Sequence, residues 1–166
     1  LMGEVDGDND EAMKVSENFT QAGRLHATYN FDLLEWDGLT VDEMKEIINN
    51  AVDKFNDTGK VCFTFSNHDV PRSVSRQIAP LKLKNEDSEN LQLLLLKLES
   101  CLIGSTCIYQ GEELALEDVT DIPVERMKDP WGIEFASTFS GRDTCRTPMV
   151  WDANALNGGF SEANQT

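Results

Sequence analysis

The sequence predicts an α/β fold with a parallel sheet, read further as part of a (β/α)8 barrel, and two observations carry that reading. Apolar runs of strand length alternate with runs of helical period, which implies βαβ crossovers. Polar residues then gather at the carboxyl ends of the strands: Glu4, then Asn67, His68 and Asp69, then Gln110, Glu112 and Glu113. A (β/α)8 barrel assembles its active site on that edge. Alternation alone fits an open sheet equally well; the strand-end residues decide for the barrel.

The first unit opens with "LMGEV", a short apolar run ending at an acid, followed by "DEAMKVSENF", which places Ala12, Val15 and Phe19 at helical spacing. Asp6 is read as opening the "DGDND" loop between them. "LHATYNFDLL" reads as a second strand containing a structural His26. In "TVDEMKEIINNAVDKF", Val41, Met44, Ile47, Ile48, Ala51, Val52 and Phe55 share one helix face, and Thr40 with Glu43 forms a capping box at its start.

A third unit comprises the strand "VCFTFS", a polar loop from Asn67 to Asp87, and a helix whose stripe is Leu91, Leu94, Leu95, Leu98 and Leu102. "STCIYQG" is the fourth strand. Over residues 114–166, prolines Pro123, Pro130 and Pro148 and several glycines mark an irregular, loop-rich segment without a second long helix.

At 166 residues and 40% hydrophobic content the chain is the size of one domain with its own core. Its 30 Asp and Glu against 14 Lys and Arg leave a net charge of -16, which repels phosphate backbones and anionic lipid surfaces. Nucleic acid and membrane are therefore excluded as expected partners. The apolar segment "LQLLLLKLESCLIGSTCIY" is broken by Lys97, Glu99 and Ser100 before it reaches the ~20 apolar residues of a membrane span. Cys62, Cys101, Cys107 and Cys145 lack the paired spacings of a zinc site, so they are expected reduced and mostly buried, in a cytoplasmic protein.

Residue by residue, the chemistry stays open. Glu4 reads equally as an acid bonded to a neighbouring loop. His68 and Asp69 can both reach one cavity if the backbone turns at the strand end, or can form a turn with an Asp cap. One of Glu112 and Glu113 is expected to pair with a nearby arginine and hold the rim. "GRDTCRTPMVWD" concentrates Arg142, Asp143 and Arg146, as an internal salt-bridge cluster or a clamp for sugar hydroxyls. Trp36, Trp131 and Trp151 are packing residues or stacking platforms.

Taken in order, "GEV", "SNHDVPRSVSR", "YQGEELAL", "DPWGIEF" and "GRDTCRTPMVWD" resemble the α-glucosidase branch of glycoside hydrolase family 13, the α-amylase family. The resemblance covers the whole chain. It implies a (β/α)8 barrel and retaining hydrolysis of short α-glucosides, of maltose or isomaltose type, from the non-reducing end through a covalent intermediate. Glu4 matches the acid/base, whose pKa must be raised by partial burial and neighbouring carboxylates to keep it protonated. Asp69 matches the third catalytic carboxylate, which holds sugar hydroxyls, and His68 the hydrogen-bond donor beside it. Arg146 matches an arginine closing the pocket around the terminal glucose, and Arg72 one lining the same pocket.

Two conserved strings of the family are missing, including the one that carries its aspartate nucleophile. The chain is therefore read as strands five to eight of the barrel with their helices, without the family's C-terminal β domain, and as inactive alone. No cofactor is expected in this segment; a calcium or magnesium site would belong to the upstream half. The expected partners are an α-glucoside substrate and either the missing N-terminal half or a second copy of the chain. The alternative function is a non-catalytic amylase-like barrel that acts as a partner or structural module.

Overall fold

The computed structural model describes residues 1–166 apart from 6–8, 36, 56–60, 136–137, 139–140 and 164–166. The loop read at Asp6 and the aromatic Trp36 fall outside the described residues, as does the Phe55 side chain. Strand β1 (Met2–Gly3) leads to helix α1 (Asn9–Phe19), β2 (Ala27–Tyr29), α2 (Val41–Phe55) and β3 (Val61–Phe63). Helices α3 (Ser73–Gln77) and α4 (Ser88–Cys101) follow, then β4 (Ser105–Thr106) and α5 (Pro130–Glu134). The strands form one four-stranded sheet in the order β1-β2-β3-β4, and every neighbouring pair is parallel.

The regular strands are shorter than the apolar runs. "LHATYNFDLL" gives a strand of only three residues, because at Asn30 the amide turns to Asp32 and the chain enters a 3-10 turn, Phe31–Leu34. That turn sends Leu33 and Leu34 into the core. β3 is central and wholly buried, and the chain stays buried through Ser66. β4 pairs at two residues, and a further bond from the Cys107 N–H to the Phe63 carbonyl extends its register. Gly104 lets it approach: φ is +102°, and a Cβ there would lie 2.5 Å from the Val61 carbonyl oxygen.

Helices cover one face of the sheet, and their stripes differ in part from the sequence reading. α1 buries Met13 and Ser16 rather than Ala12, Val15 and Phe19; Thr20 just beyond it is buried, its hydroxyl donating to the Ser16 carbonyl. On α2, Met44 and Ala51 are buried and Ile47 packs against the core, while Val41 is exposed in the first turn. The capping box forms: the Thr40 N–H donates to the Glu43 carboxylate at 2.8 Å and the Glu43 N–H to the Thr40 hydroxyl at 3.3 Å. α4 buries Leu91 and Leu95 with Gln92 and Glu99, and leaves Leu94 62% exposed. The helix turns toward α3, where the Ser73 hydroxyl oxygen lies 2.9 Å from the Gln92 side-chain amide, so the buried stripe includes polar residues.

The polar loop expected from Asn67 to Asp87 is likewise interrupted by α3. Its start is held by the Ser66 hydroxyl, which accepts the Ser73 N–H at 2.8 Å. Ser73, Val74, Arg76 and Gln77 are buried in it, and Gln77 accepts the Leu39 N–H. The Arg76 guanidinium donates to the carbonyls of Pro71, Leu33, Glu35 and Phe65, tying the β2 exit to the β3 exit. Cys62 and Cys145 are buried thiols, but Cys101, at the end of α4, faces solvent, contrary to its apolar sequence context. No helix among the described residues is long and apolar enough to cross a membrane.

Candidate active site

Beyond β3 the chain stays buried through Ser66 and then releases Asn67, His68 and Asp69 at the sheet's carboxyl edge. The Asn67 side-chain carbonyl accepts the Asp69 N–H at 2.8 Å, a local turn that stops the strand alternation. Both side chains consequently reach one side, with His68 Nε2 3.4 Å from Asp69 Oδ2.

The loop at 141–147 meets this tip. Turn bonds from Cys145 to Arg142 and from Arg146 to Asp143 place the two arginines together. Arg142 Nη1 donates to Asp69 Oδ1 at 2.9 Å, and Arg146 Nη2 to the same oxygen at 2.6 Å. Arg146 Nε also donates to the His68 carbonyl at 2.7 Å. The loop is thus both an internal salt-bridge cluster and a cationic wall beside Asp69. Charge-assisted bonds of this kind are the strong ones, and here two of them converge on one carboxylate oxygen.

Behind Arg142 stands Asp129, 2% exposed. Its Oδ1 accepts Arg142 Nη2 at 2.8 Å and its Oδ2 accepts Arg142 Nε at 3.1 Å. The guanidinium fork holds the Asp129 carboxyl down at about 2, and Asp129 in turn raises Arg142 above its ordinary value. Trp131 lies with its ring 4.9 Å from the Arg142 guanidinium carbon, so this tryptophan covers an arginine, whereas Trp151 is exposed. Sequence reasoning named Arg142 but missed Asp129. Thirteen residues apart, the two share no helical or strand period, and the one signal was that both sit in proline- or glycine-marked turns.

Two expectations change. Arg72 does not open on the cleft: it is 1% exposed, donating to the carbonyls of Gln110 and Cys145 and to the Thr147 hydroxyl, with Tyr109 5.2 Å from its charge. Those carbonyls draw the guanidinium inward, where it props the loop that carries Arg146. Among the described residues, neither rim acid forms the arginine ion pair expected of one of them. Glu112 is buried, accepting the Ser73 hydroxyl at 3.1 Å and the Tyr109 N–H at 2.7 Å, and burial raises its pKa against the pull of hydroxyls and the nearby Arg76 charge. Glu113 accepts the Gly111 N–H.

Glu4 ends β1, two strands away from β3 and thus about 10 Å across the sheet. Among the described residues it is hydrogen-bonded to none of the Asp69 cluster. The partial burial expected for it is also lacking, because β1 is an edge and the side chain is exposed. Tyr29 on the neighbouring strand feels the Glu4 charge. Its hydroxyl lies 3.4 Å from the Cys107 thiol, and that contact leads the causes pushing it up to about 12. No group of three or more His, Cys, Asp or Glu among the described residues could hold a metal ion.

This edge of strand tips is common to a whole class of barrel glycosidases, and the chain belongs to it: the family model of the alpha-amylase catalytic domain matches residues 1–166. Within that family its similarity lies with the α-glucosidase and oligo-1,6-glucosidase branch. It is 39% identical over 163 residues to a probable alpha-glucosidase of Rhizobium meliloti, covering 98% of this chain and 28% of that protein. It is 30% identical over 146 residues to an oligo-1,6-glucosidase of Halalkalibacterium halodurans, covering 77% of this chain and 25% of that protein. The fold matches the alpha-glucosyl transfer enzyme XgtA with a TM-score of 0.77 at 32% identity, over 96% of this chain and 28% of that one. It also matches the trehalose-6-phosphate hydrolase of Bacillus licheniformis with a TM-score of 0.75; at 21% identity that is a likeness of fold, over 96% of this chain and 33% of the other. The chain therefore spans about a quarter to a third of the proteins it matches.

Proposed function

We propose that the chain is the acid/base-bearing half of the barrel of a retaining α-glucosidase, corresponding to strands five to eight, which removes glucose from the non-reducing end of short α-glucosides. The observation that carries this reading is Asp69, presented at the tip of the central strand and gripped by Arg142 and Arg146 beside His68. A carboxylate so fixed, with His68 Nε2 flanking Oδ2 at 3.4 Å, is placed to accept sugar hydroxyls on its exposed side. Arg146, whose side chain is about a third exposed, closes the wall around the same sugar. Glu4 donates a proton to the leaving glycosidic oxygen as that bond breaks, and then takes a proton from the water that releases glucose.

The nucleophile that holds the glucosyl group between those steps is supplied from the fourth strand, outside these residues. Retention needs it about 5 to 5.5 Å from the acid/base. Completing the barrel would also cover Glu4 and supply the burial that a general acid requires. The 166-residue chain alone is inactive in this reading. Glucose release from a chromogenic α-glucoside checks it: no turnover by the isolated chain, turnover when the upstream half is added, and loss of that turnover with Glu4→Gln. Turnover by the isolated chain, or by the Glu4→Gln form, would sink it.

The 32% identity to an alpha-glucosyl transfer enzyme favours a second outcome at the same site, passage of the glucosyl group to an acceptor hydroxyl instead of water. The same side chains serve both. Analysis of products at high acceptor concentration separates them.

A further inference from the structure

The loop that presents His68 and Asp69 is closed at its base by one bond, in which the Ser73 N–H donates to the Ser66 hydroxyl oxygen at 2.8 Å. Both hydroxyls of that base then turn to Glu112, in the turn after β4. The Ser73 hydroxyl donates to Glu112 Oε1 at 3.1 Å, and the Ser66 hydroxyl donates to the same carboxylate. Glu112 Oε2 accepts the Tyr109 N–H at 2.7 Å, which fixes the carboxylate to the chain leaving β4. The residue is 2% exposed, so these protein donors carry its hydrogen bonding. Gly111 lets the turn bring it there: φ is +90°, and a Cβ would lie 2.6 Å from Leu116 Cδ1 and 2.9 Å from Arg72 Nη1. Between the base and the tip, the Thr64 hydroxyl holds the Ser66 carbonyl at 2.7 Å and the Asn67 side chain accepts the Asp69 N–H.

We propose that Glu112 is the positioning residue of this loop: its carboxylate fastens both ends of 66–73 to the β4 exit and so sets where the Asp69 backbone stands, without touching the sugar. This deepens, and rests on, the glucosidase reading. An apolar side chain of the same size would fill the space but leave two hydroxyls and an N–H without their acceptor, and a neutral amide would turn a donor toward donors on one side. A carboxylate takes all three. Bonds to an ionised acceptor are about twice as strong as neutral ones, and these reach it from β3's exit, from α3 and from the chain after β4. Glu113 beside it bonds to the Gly111 N–H within its own turn, so the two adjacent acids are not equivalent. The hold matters because Asp69 meets a sugar ring that changes shape at the transition state, where a displacement of about 1 Å can cost about 100-fold.

The test combines kinetics on a chromogenic α-glucoside with hydrogen exchange read by mass spectrometry, both in the full-length protein, for wild type, Glu112→Gln, Ser66→Ala and the double variant. Glu112→Gln keeps the shape and should lower kcat by about tenfold with KM changed less than about threefold, since a displaced group weakens the transition state more than the ground state. Amides of 67–72 should exchange about tenfold faster, while those of α2 keep their wild-type rates. Ser66→Ala should show both effects, and it carries the test if Glu112→Gln fails to fold. The double variant should be little worse than either single one, because the two side chains act through one bond. Wild-type kcat in either single variant beside a lowered unfolding midpoint, or two effects that simply multiply, would overturn the proposal and leave a carboxylate that only stabilises the fold. Wild type without turnover would instead remove the glucosidase reading, and the exchange of 67–72 would still decide whether Glu112 holds the loop.

Discussion

Glu99 is a glutamate where the core wants a neutral residue. It is 2% exposed on the sheet side of α4, and its Oε1 has no hydrogen-bond partner among the described residues. Burial first, with the Glu112 charge adding, pushes its carboxyl from the ordinary 4.5 up to about 8, and the Cys107 N–H only partly offsets this. Between those two values the folded chain holds a proton that the unfolded chain releases, so this group's contribution to stability is complete below about pH 4.5, falls as pH rises through about 8, and is flat beyond. Glu99→Gln removes the ionisation while keeping the shape. Urea unfolding should show it about 1–3 kcal/mol more stable than wild type at pH 9 and close to wild type at pH 4.5. Equal stability of the two proteins at pH 9 would mean that the carboxylate is solvated in solution.

At the scale of elements, α2 is anchored by its capping box and by very little else at its start, since Val41 is exposed and the first buried side chain is Met44. Thr40→Ala leaves the Glu43 N–H without its acceptor and should cost about 1 kcal/mol, read from the denaturant midpoint at unchanged slope. An effect below a few tenths of a kcal/mol would show that water replaces the hydroxyl. α3 shows the opposite logic. It is five residues long, too short to be stable alone, and exists because Ser66, Gln92 and Glu112 satisfy its polar groups from β3, α4 and the turn after β4.

In the whole molecule, a parallel sheet covered by helices on one face carries a net charge of -16. Mutual repulsion of these charges opposes compaction, and salt screens it, the Debye length falling from about 10 Å at 0.1 M to about 3 Å at 1 M. The unfolding midpoint should therefore rise by a few degrees over that range in sodium chloride. A midpoint that falls would mean that the pairs around Asp69 and Asp129 contribute more than the repulsion. Among the described residues β1 and β4 each pair on one side, which leaves outward N–H and C=O groups at both edges of the sheet.

The sequence by itself determined what is periodic or adjacent. Strand and helix alternation is local hydropathy, the capping box is a spacing of three, and the Asn67–His68–Asp69 tip follows where the "VCFTFS" run stops. The family motifs add Arg146 and the branch of glucosidases the chain resembles. Only the tertiary structure decided which polar residues are buried. Nothing along the chain marks Arg72, Arg76, Gln92, Glu99 and Glu112 as buried, yet each lies inside because a carbonyl, hydroxyl or amide from another segment meets it, or, for Glu99, in spite of an oxygen left unmet. Asp129 and Arg142 likewise became partners through a close approach at Gly141, and no pattern along a chain encodes a contact that exists only once two loops fold against each other.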